Sequence, residues 1–326
     1  MTDTERRLSP PAPASISPEA QAFLNSPEPF GSNDAPDDIR DVAGWENYIA
    51  RANALLAEKI GLLLPADLPL DEASFDHEGV TTYVYRPHRV DGGSETPVYL
   101  DIHGGGLVMG GGAVCQLMSR GQALVRPMIT WSVDYRMPPR HPYPTPLDDC
   151  VAAYRRLLEE RPPQDIFVGG GSAGGNLAAA LMLRAKDEGL PLPAALLLIT
   201  PELDLTESGD SFCTLNGVDN VLKPLMTTNL LYANGADLAH PYLSPLFGDV
   251  SGFPPTYLQS GTRDLFLSNA VRMHRKLLAA GVETDLNVFE AMPHGGFGGT
   301  SPEDMDLVQS VLSFIERYLR RPATPR

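Results

Sequence analysis

No stretch of this sequence approaches the ~20 consecutive apolar residues needed to cross a bilayer, so a membrane-spanning helix is not expected. Cysteine is scarce. Cys115, Cys150 and Cys213 lie far apart, with no C-x-x-C and no histidine at ligand spacing, which argues against a zinc site or a disulfide framework. The three read as buried apolar side chains, and no metal is expected. Positive charge is also in deficit, with 25 Lys and Arg against 41 Asp and Glu and a net charge of −16. A surface of that sign repels phosphate backbones and anionic headgroups, so neither nucleic acid nor membrane is an expected partner. The opening residues, MTDTERRLSPPAP, carry basic side chains with no apolar run behind them. They lack the body of a secretory signal, and a cytoplasmic location is expected.

What is present is a chain of 326 residues, 43% of them hydrophobic, long enough for a large core in one α/β unit. Its most informative stretch is Asp165–Asn176, DIFVGGGSAGGN, with Ser172 at the centre of a G-x-S-x-G pattern. The apolar run Ile166–Val168 precedes it and the alanine-rich run Leu177–Ala185 follows, which predicts strand, tight turn, helix. That is the setting in which a nucleophilic serine is lifted above a sheet. Gly170 and Gly174 are read as permitting the sharp turn, and Gly175 as letting the helix pack close to the strand.

Upstream, a predicted strand at Pro97–Leu100 runs into His103-Gly104-Gly105-Gly106. Acyl transfer passes through a tetrahedral oxyanion that needs preorganised donors, and glycines let backbone N–H groups approach it unhindered. Gly104 and Gly105 are assigned as donors, with the N–H of Ala173 as the third. His103, inside the glycine motif, is read as holding the loop rather than as a base. Downstream, the strand Thr256–Gln259 opens onto Asp264, placed to orient a histidine, and the strand Glu283–Phe289 is followed by Pro293-His294-Gly295-Gly296-Phe297. The order Ser172, Asp264, His294 is that of the α/β-hydrolase arrangement. Asp285 and Glu290 are the alternative acids, ranked behind Asp264. His77, His88, His141, His240 and His274 have no comparable setting.

Together with Asp134-Tyr135-Arg136 and His141-Pro142-Tyr143-Pro144, these motifs resemble the hormone-sensitive-lipase family of α/β-hydrolases over residues 80–320. Its bacterial members are mostly carboxylesterases. The resemblance implies a mostly parallel, helix-flanked sheet, a helical cap, no cofactor, and a small-molecule ester as substrate. Two departures stand out. Gly171 occupies a position where the family often carries an acid, and Glu202 stands where an aromatic residue is usual; its carboxylate is expected to be solvated rather than to alter acyl preference.

Residues 1–60 are assigned to an N-terminal tail and cap helix, and 61–326 to the catalytic domain with a cap insertion at about 206–245. Within 1–38, Pro10, Pro11, Pro13, Pro18, Pro27, Pro29 and Pro36 among polar residues favour an extended or mobile tail that drapes over the body. From Val42 to Ile60, Trp45, Tyr48, Ile49, Ala52, Leu55, Leu56 and Ile60 recur at helical spacing. The runs Thr81–Arg86 and Pro97–Leu100, with Asp91-Gly92-Gly93 between them, are read as two strands joined hairpin-fashion. In the insertion, Phe212, Leu215, Val218, Val221, Leu222, Leu225 and Met226 are read as acyl-pocket lining or ordinary packing. The expected activity is a serine carboxylesterase acting on short- to medium-chain acyl esters. A lactonase or amidase with the same machinery stays open, as does homo-oligomerisation; a non-catalytic receptor on this scaffold is disfavoured by His294.

Overall fold

The computed structural model describes residues 10–26 and 35–319. Its strands are β1 (Leu70–His77), β2 (Val80–Pro87), β3 (Val98–Ile102), β4 (Ile129–Asp134), β5 (Ile166–Gly171), β6 (Ala195–Ile199), β7 (Thr256–Gly261) and β8 (Thr284–Phe289). They form one sheet in the order β1-β2-β4-β3-β5-β6-β7-β8. From β4 onward every neighbouring pair is parallel; β1 and β2 form an antiparallel edge. This is the α/β-hydrolase fold anticipated from the motifs.

The described helices are α1 (Pro18–Leu24), α2 (Val42–Leu63), α3 (Ala113–Val125), α4 (Thr145–Glu160), α5 (Ala173–Asp187), α6 (Asp210–Thr214), α7 (Met226–Ala233), α8 (Leu267–Ala279) and α9 (Pro302–Tyr318). Strand alternation decides what they cover. Leu100, Ile102, Val168, Leu196, Leu198 and Leu258 meet α4, α5 and α8 on one face, while Tyr99, Phe167, Leu197 and Tyr257 meet α9 on the other. With helices on both faces, the central strands carry apolar residues at successive positions, as buried parallel strands do. α9 begins at a capping box between Ser301 and Asp304 and buries Val311, Phe314, Ile315 and Tyr318, the first three worth ~1.5–3 kcal/mol each if fully withdrawn from water.

The hairpin expectation is corrected. β2 pairs with β1 through the Glu78-Gly79 turn and with β4 on its other side, whereas β3 lies between β4 and β5. Asp91-Gly92-Gly93 therefore links two strands that are not neighbours. β1 and α3 were not anticipated. β1 has only Leu70 buried, so the alternation that betrays a strand is nearly absent from it. The tail reading is also corrected where the chain is described: Pro18–Leu24 is helical, with the Ser17 side chain accepting from the Ala20 N–H. Pro27 and Pro29 lie outside the described residues. The predicted helix from Val42 extends to Leu63, and the helix after Ser172 starts at Ala173. Among the described residues no helix is long and apolar enough to cross a membrane.

Candidate active site

Ser172 occupies the one-residue turn between β5 and α5, at φ 55° and ψ −121°, a strained backbone for a residue with a Cβ. The turn is possible because two glycines allow unusually close approach. A Cβ on Gly174 would stand 1.9 Å from the Ile102 carbonyl oxygen, and one on Gly170 2.3 Å from the same atom. Both roles are therefore close approach rather than a special φ. A Cβ on Gly175 would come within 2.8 Å of Pro201.

The structure brings Ser172, His294 and Asp264 into one hydrogen-bonded line. Ser172 Oγ lies 2.9 Å from His294 Nε2, and His294 Nδ1 lies 3.0 Å from Asp264 Oδ1. Asp264 is fully buried and accepts from Ser260 Oγ at 2.6 Å and from the Phe266 N–H at 2.9 Å. Phe266 presents its ring to the His294 imidazole at 4.9 Å, edge to face. Burial pushes the His294 pKa down, but the charge and hydrogen bond of Asp264, with the charges of Asp219 and Glu202, outweigh it, so the pKa is raised above the ordinary histidine value. The imidazole is thus a stronger base than a free one. Of the alternative acids, Asp285 pairs with Arg317 on the surface and Glu290 is exposed; neither is brought to His294.

The glycine loop after β3 stands against the serine. A Cβ on Gly104 would lie 2.9 Å from the Gly171 carbonyl oxygen and 3.5 Å from Ser172 Cβ, and Gly105 has φ +127°, a conformation for glycine only. Gly105 O accepts from Val108 and Met109, while the Gly104 and Gly105 N–H groups meet no acceptor among the described residues. Ala173 is the first residue of α5, so its N–H is one of the orphan donors of a helix start. His103 does hold the loop. Its Nδ1 donates to the Gly104 carbonyl at 2.8 Å, its ring stacks on Tyr135 at 4.1 Å, and Tyr135 donates its hydroxyl to the His103 carbonyl at 2.8 Å. Burial lowers the His103 pKa, which keeps the ring neutral.

His103, Cys115 and Asp134 offer ligand atoms within 4.8 Å of one another, the one such group found among the described residues. Each already has structural work. His103 supports Gly104, Asp134 accepts from the Gly112 N–H and the Tyr83 hydroxyl, and burial raises the Cys115 pKa far enough to keep it a thiol. His103 and Asp134 brace the two ends of the glycine loop, and Cys115 packs behind it against Ser132.

Beside His294, Phe212, Leu222 and Leu225 from the insertion cluster with Leu265 and Phe266, and Leu215 packs against them; Val218, Val221 and Met226 are partly exposed. A Cβ on Gly106 would meet Thr228 at 3.6 Å and Leu225 at 3.8 Å, which sets the start of α7 over the glycine loop. Trp45 and Tyr48 of α2 pack with Val108 and Leu231. α1 packs Ala20 and Phe23 against Ala291, Met292 and Phe297 of the His294 loop.

Glu202 overturns the expectation of a solvated carboxylate. It is fully buried, its N–H donates to the Ser172 carbonyl at 3.2 Å, and neither carboxyl oxygen has a hydrogen-bond partner among the described residues. Burial first, then the charge of Glu207, pushes its pKa up to about 8, against the influence of Asn229 and His294. The folded-state pKa lies above the ordinary 4.5, so folding opposes its ionisation: below pH 4.5 both states are protonated and nothing is lost, and stability declines as pH rises from there to about 8, by about 1.4 kcal/mol per unit. Glu202→Gln is therefore expected to raise the melting temperature at pH 8.5 and leave it nearly unchanged at pH 4.5, which thermal denaturation at the two pH values checks.

A buried acid, Asp219, also faces His294 from the insertion, and the sequence reading did not single it out. Its side chain accepts from the Val221 N–H two residues on, the pattern of any Asx turn, so nothing local marks it as belonging to the site.

A serine, a histidine and an acid in line at the carboxyl ends of parallel strands define an α/β-hydrolase. A family model described as alpha/beta hydrolase fold matches residues 99–297. An acetyl-hydrolase of Streptomyces hygroscopicus is 34% identical over 212 residues, 64% of this chain and 70% of that protein. A carboxylesterase of Mycobacterium tuberculosis is 31% identical over 266 residues, 76% of this chain and 81% of that one. Among solved structures, an esterase superposes with a TM-score of 0.86 at 34% identity, covering 95% of this chain and 97% of its own. An esterase of the bacterial hormone-sensitive lipase family gives 0.81 at 28% identity, covering 93% and 99%. The chain belongs to the α/β-hydrolase fold family, in its hormone-sensitive-lipase branch. It is an enzyme of the carboxylic ester hydrolase class.

Proposed function

We propose that this enzyme hydrolyses short- to medium-chain acyl esters through an acyl-enzyme. Ser172 Oγ attacks the ester carbonyl while His294 Nε2 takes its proton, and Asp264 keeps the proton of His294 on Nδ1 and stabilises the imidazolium. The negative charge that develops on the carbonyl oxygen is met by the N–H groups of Gly104, Gly105 and Ala173. Collapse expels the alcohol, which receives the proton from His294. Water, deprotonated by His294, then attacks the acyl carbonyl, and on collapse Ser172 Oγ leaves with the proton that His294 returns, releasing the carboxylic acid. The observation that carries this reading is the unbroken line Ser172 Oγ, His294, Asp264, at 2.9 and 3.0 Å. A receptor would not need it.

The acyl-chain preference rests on the insertion. Phe212, Leu222 and Leu225 close in on Phe266 beside His294, which favours a bounded apolar space. Each methylene then contributes ~0.8 kcal/mol of burial until the space is full, after which packing strain opposes it. The test is kcat/KM for p-nitrophenyl esters from acetate to palmitate. A maximum among the short to medium chains, with palmitate poor, is expected; a maximum at palmitate overturns the bounded pocket.

A further inference from the structure

We propose that Asp219 is a positioning residue that locks the Asp264 and His294 loops against each other from the insertion. This rests on the triad reading above.

The two loops leave adjacent parallel strands, β7 and β8, and are tied at flanking positions: the Thr262 N–H donates to Phe289 O at 2.9 Å, the Arg263 N–H to Met292 O at 3.1 Å, and the Ala291 N–H to Thr262 Oγ1 at 2.7 Å. None of these bonds is made by His294 or by the residue following Asp264. Asp219 makes both. Its Oδ2 accepts from the Leu265 N–H at 2.9 Å and from the backbone N–H of His294 at 3.3 Å. Its Oδ1 accepts from the Val221 and Leu222 N–H groups at 2.9 and 3.1 Å, which fixes the orientation of the carboxylate. One buried carboxylate, 6% exposed, thus bridges the backbone on both sides of the Asp264–His294 hydrogen bond.

The turn carrying Asp219 is itself held from two directions. The Asp219 N–H donates to Leu215 O at 3.1 Å, and the neighbouring Asn220 side chain donates to Phe23 O of α1 at 3.0 Å. The insertion and the N-terminal helix therefore converge on the spacing between the two loops. That spacing is what the chemistry depends on, since a misplacement of ~1 Å at a reacting centre costs on the order of 10²-fold. Asp219 also bears on His294 electrostatically. Asp264 and Asp219 are the carboxylates that favour the protonated imidazole, with Glu202 adding to them only once it ionises at about pH 8. Burial, then the charge of Asp264, pushes the Asp219 pKa up to about 6, so it is ionised where His294 titrates above the ordinary histidine value.

Asp219→Asn is nearly isosteric but replaces one acceptor oxygen by an amide that can only donate, so one of the two pairs of N–H groups loses its partner. With p-nitrophenyl butyrate as substrate, kcat is expected to fall ~10–100-fold with KM little changed, and the acid limb of kcat/KM to move to lower pH because a negative charge facing His294 is gone. A merely structural residue would lower the folded fraction without moving that limb. Asp219→Glu, which keeps the charge, is expected to keep the limb near its wild-type position. Ser172→Ala is measured in parallel. If Ser172→Ala retains turnover, the triad reading itself falls. If Ser172→Ala is inactive while Asp219→Asn keeps wild-type kcat, or loses activity only in proportion to a lost near-UV circular dichroism signal with the limb unmoved, the positioning role is overturned and the triad reading stands.

Discussion

Ser172→Ala is expected to lower kcat toward p-nitrophenyl butyrate by ~10⁴–10⁶, the cost of removing one member of a triad that acts as a unit. The size follows from what is left. The oxyanion donors on Gly104, Gly105 and Ala173 are backbone groups and survive the substitution, but no atom remains at the elbow to form the acyl-enzyme. The fold should survive as well. Alanine and serine meet the φ of 55° with the same Cβ, and the Ser172 hydroxyl makes its hydrogen bond to His294 rather than to the framework. The check is residual turnover alongside a thermal melt. Wild-type turnover in the folded variant would rule out Ser172 as the nucleophile.

The second large effect is expected at the acid. Asp264→Asn should lower kcat by roughly 10⁴, the penalty for leaving the histidine in the wrong tautomer. The amide can keep the Phe266 N–H contact only by turning its NH₂ away from it. In that orientation it loses acceptance from Ser260 and the charge that stabilises the imidazolium; in the other its NH₂ faces His294 Nδ1 and fixes the wrong tautomer. Asp285→Asn and Glu290→Gln are the controls, and both should stay near wild-type turnover, because Asp285 pairs with Arg317 on the surface and Glu290 faces solvent. Steady-state kinetics of the three variants decide the matter; a crippled Glu290→Gln with an active Asp264→Asn would reverse the assignment.

These effects are predictable from the chain because the elements behind them are local. A strand, a one-residue turn and a helix with glycines on both flanks fit within a dozen residues around Ser172, and the requirement for small residues there is written in Gly170, Gly174 and Gly175. The same holds for His103–Gly106 and for the loops that carry Asp264 and His294, each of which follows a stretch rich in Leu and in strand-forming Val, Tyr, Phe and Thr. Where such a stretch was missing, the reading failed. β1 buries one residue, Leu70, and shows no period of two, and without it β2 is matched to the wrong neighbour.

The sequence by itself determined the strand-turn-helix elbow, the glycine loop, the chain order of the three side chains and the family they belong to, because each depends on the conformational limits of a few consecutive residues. Only the tertiary structure decided that β2 pairs with β1 and β4, that α1 packs on the His294 loop, that Glu202 is sealed beside Ser172, and that Asp219 joins two loops distant from it in sequence. Those outcomes depend on which side chains from remote segments exclude water from a given carboxyl, and on which backbone N–H groups arrive within reach of it. An acid reads the same in a sequence whether it is solvated or buried. Its environment, and hence its proton affinity and its use, is assembled only when strands and helices that are far apart along the chain close around it.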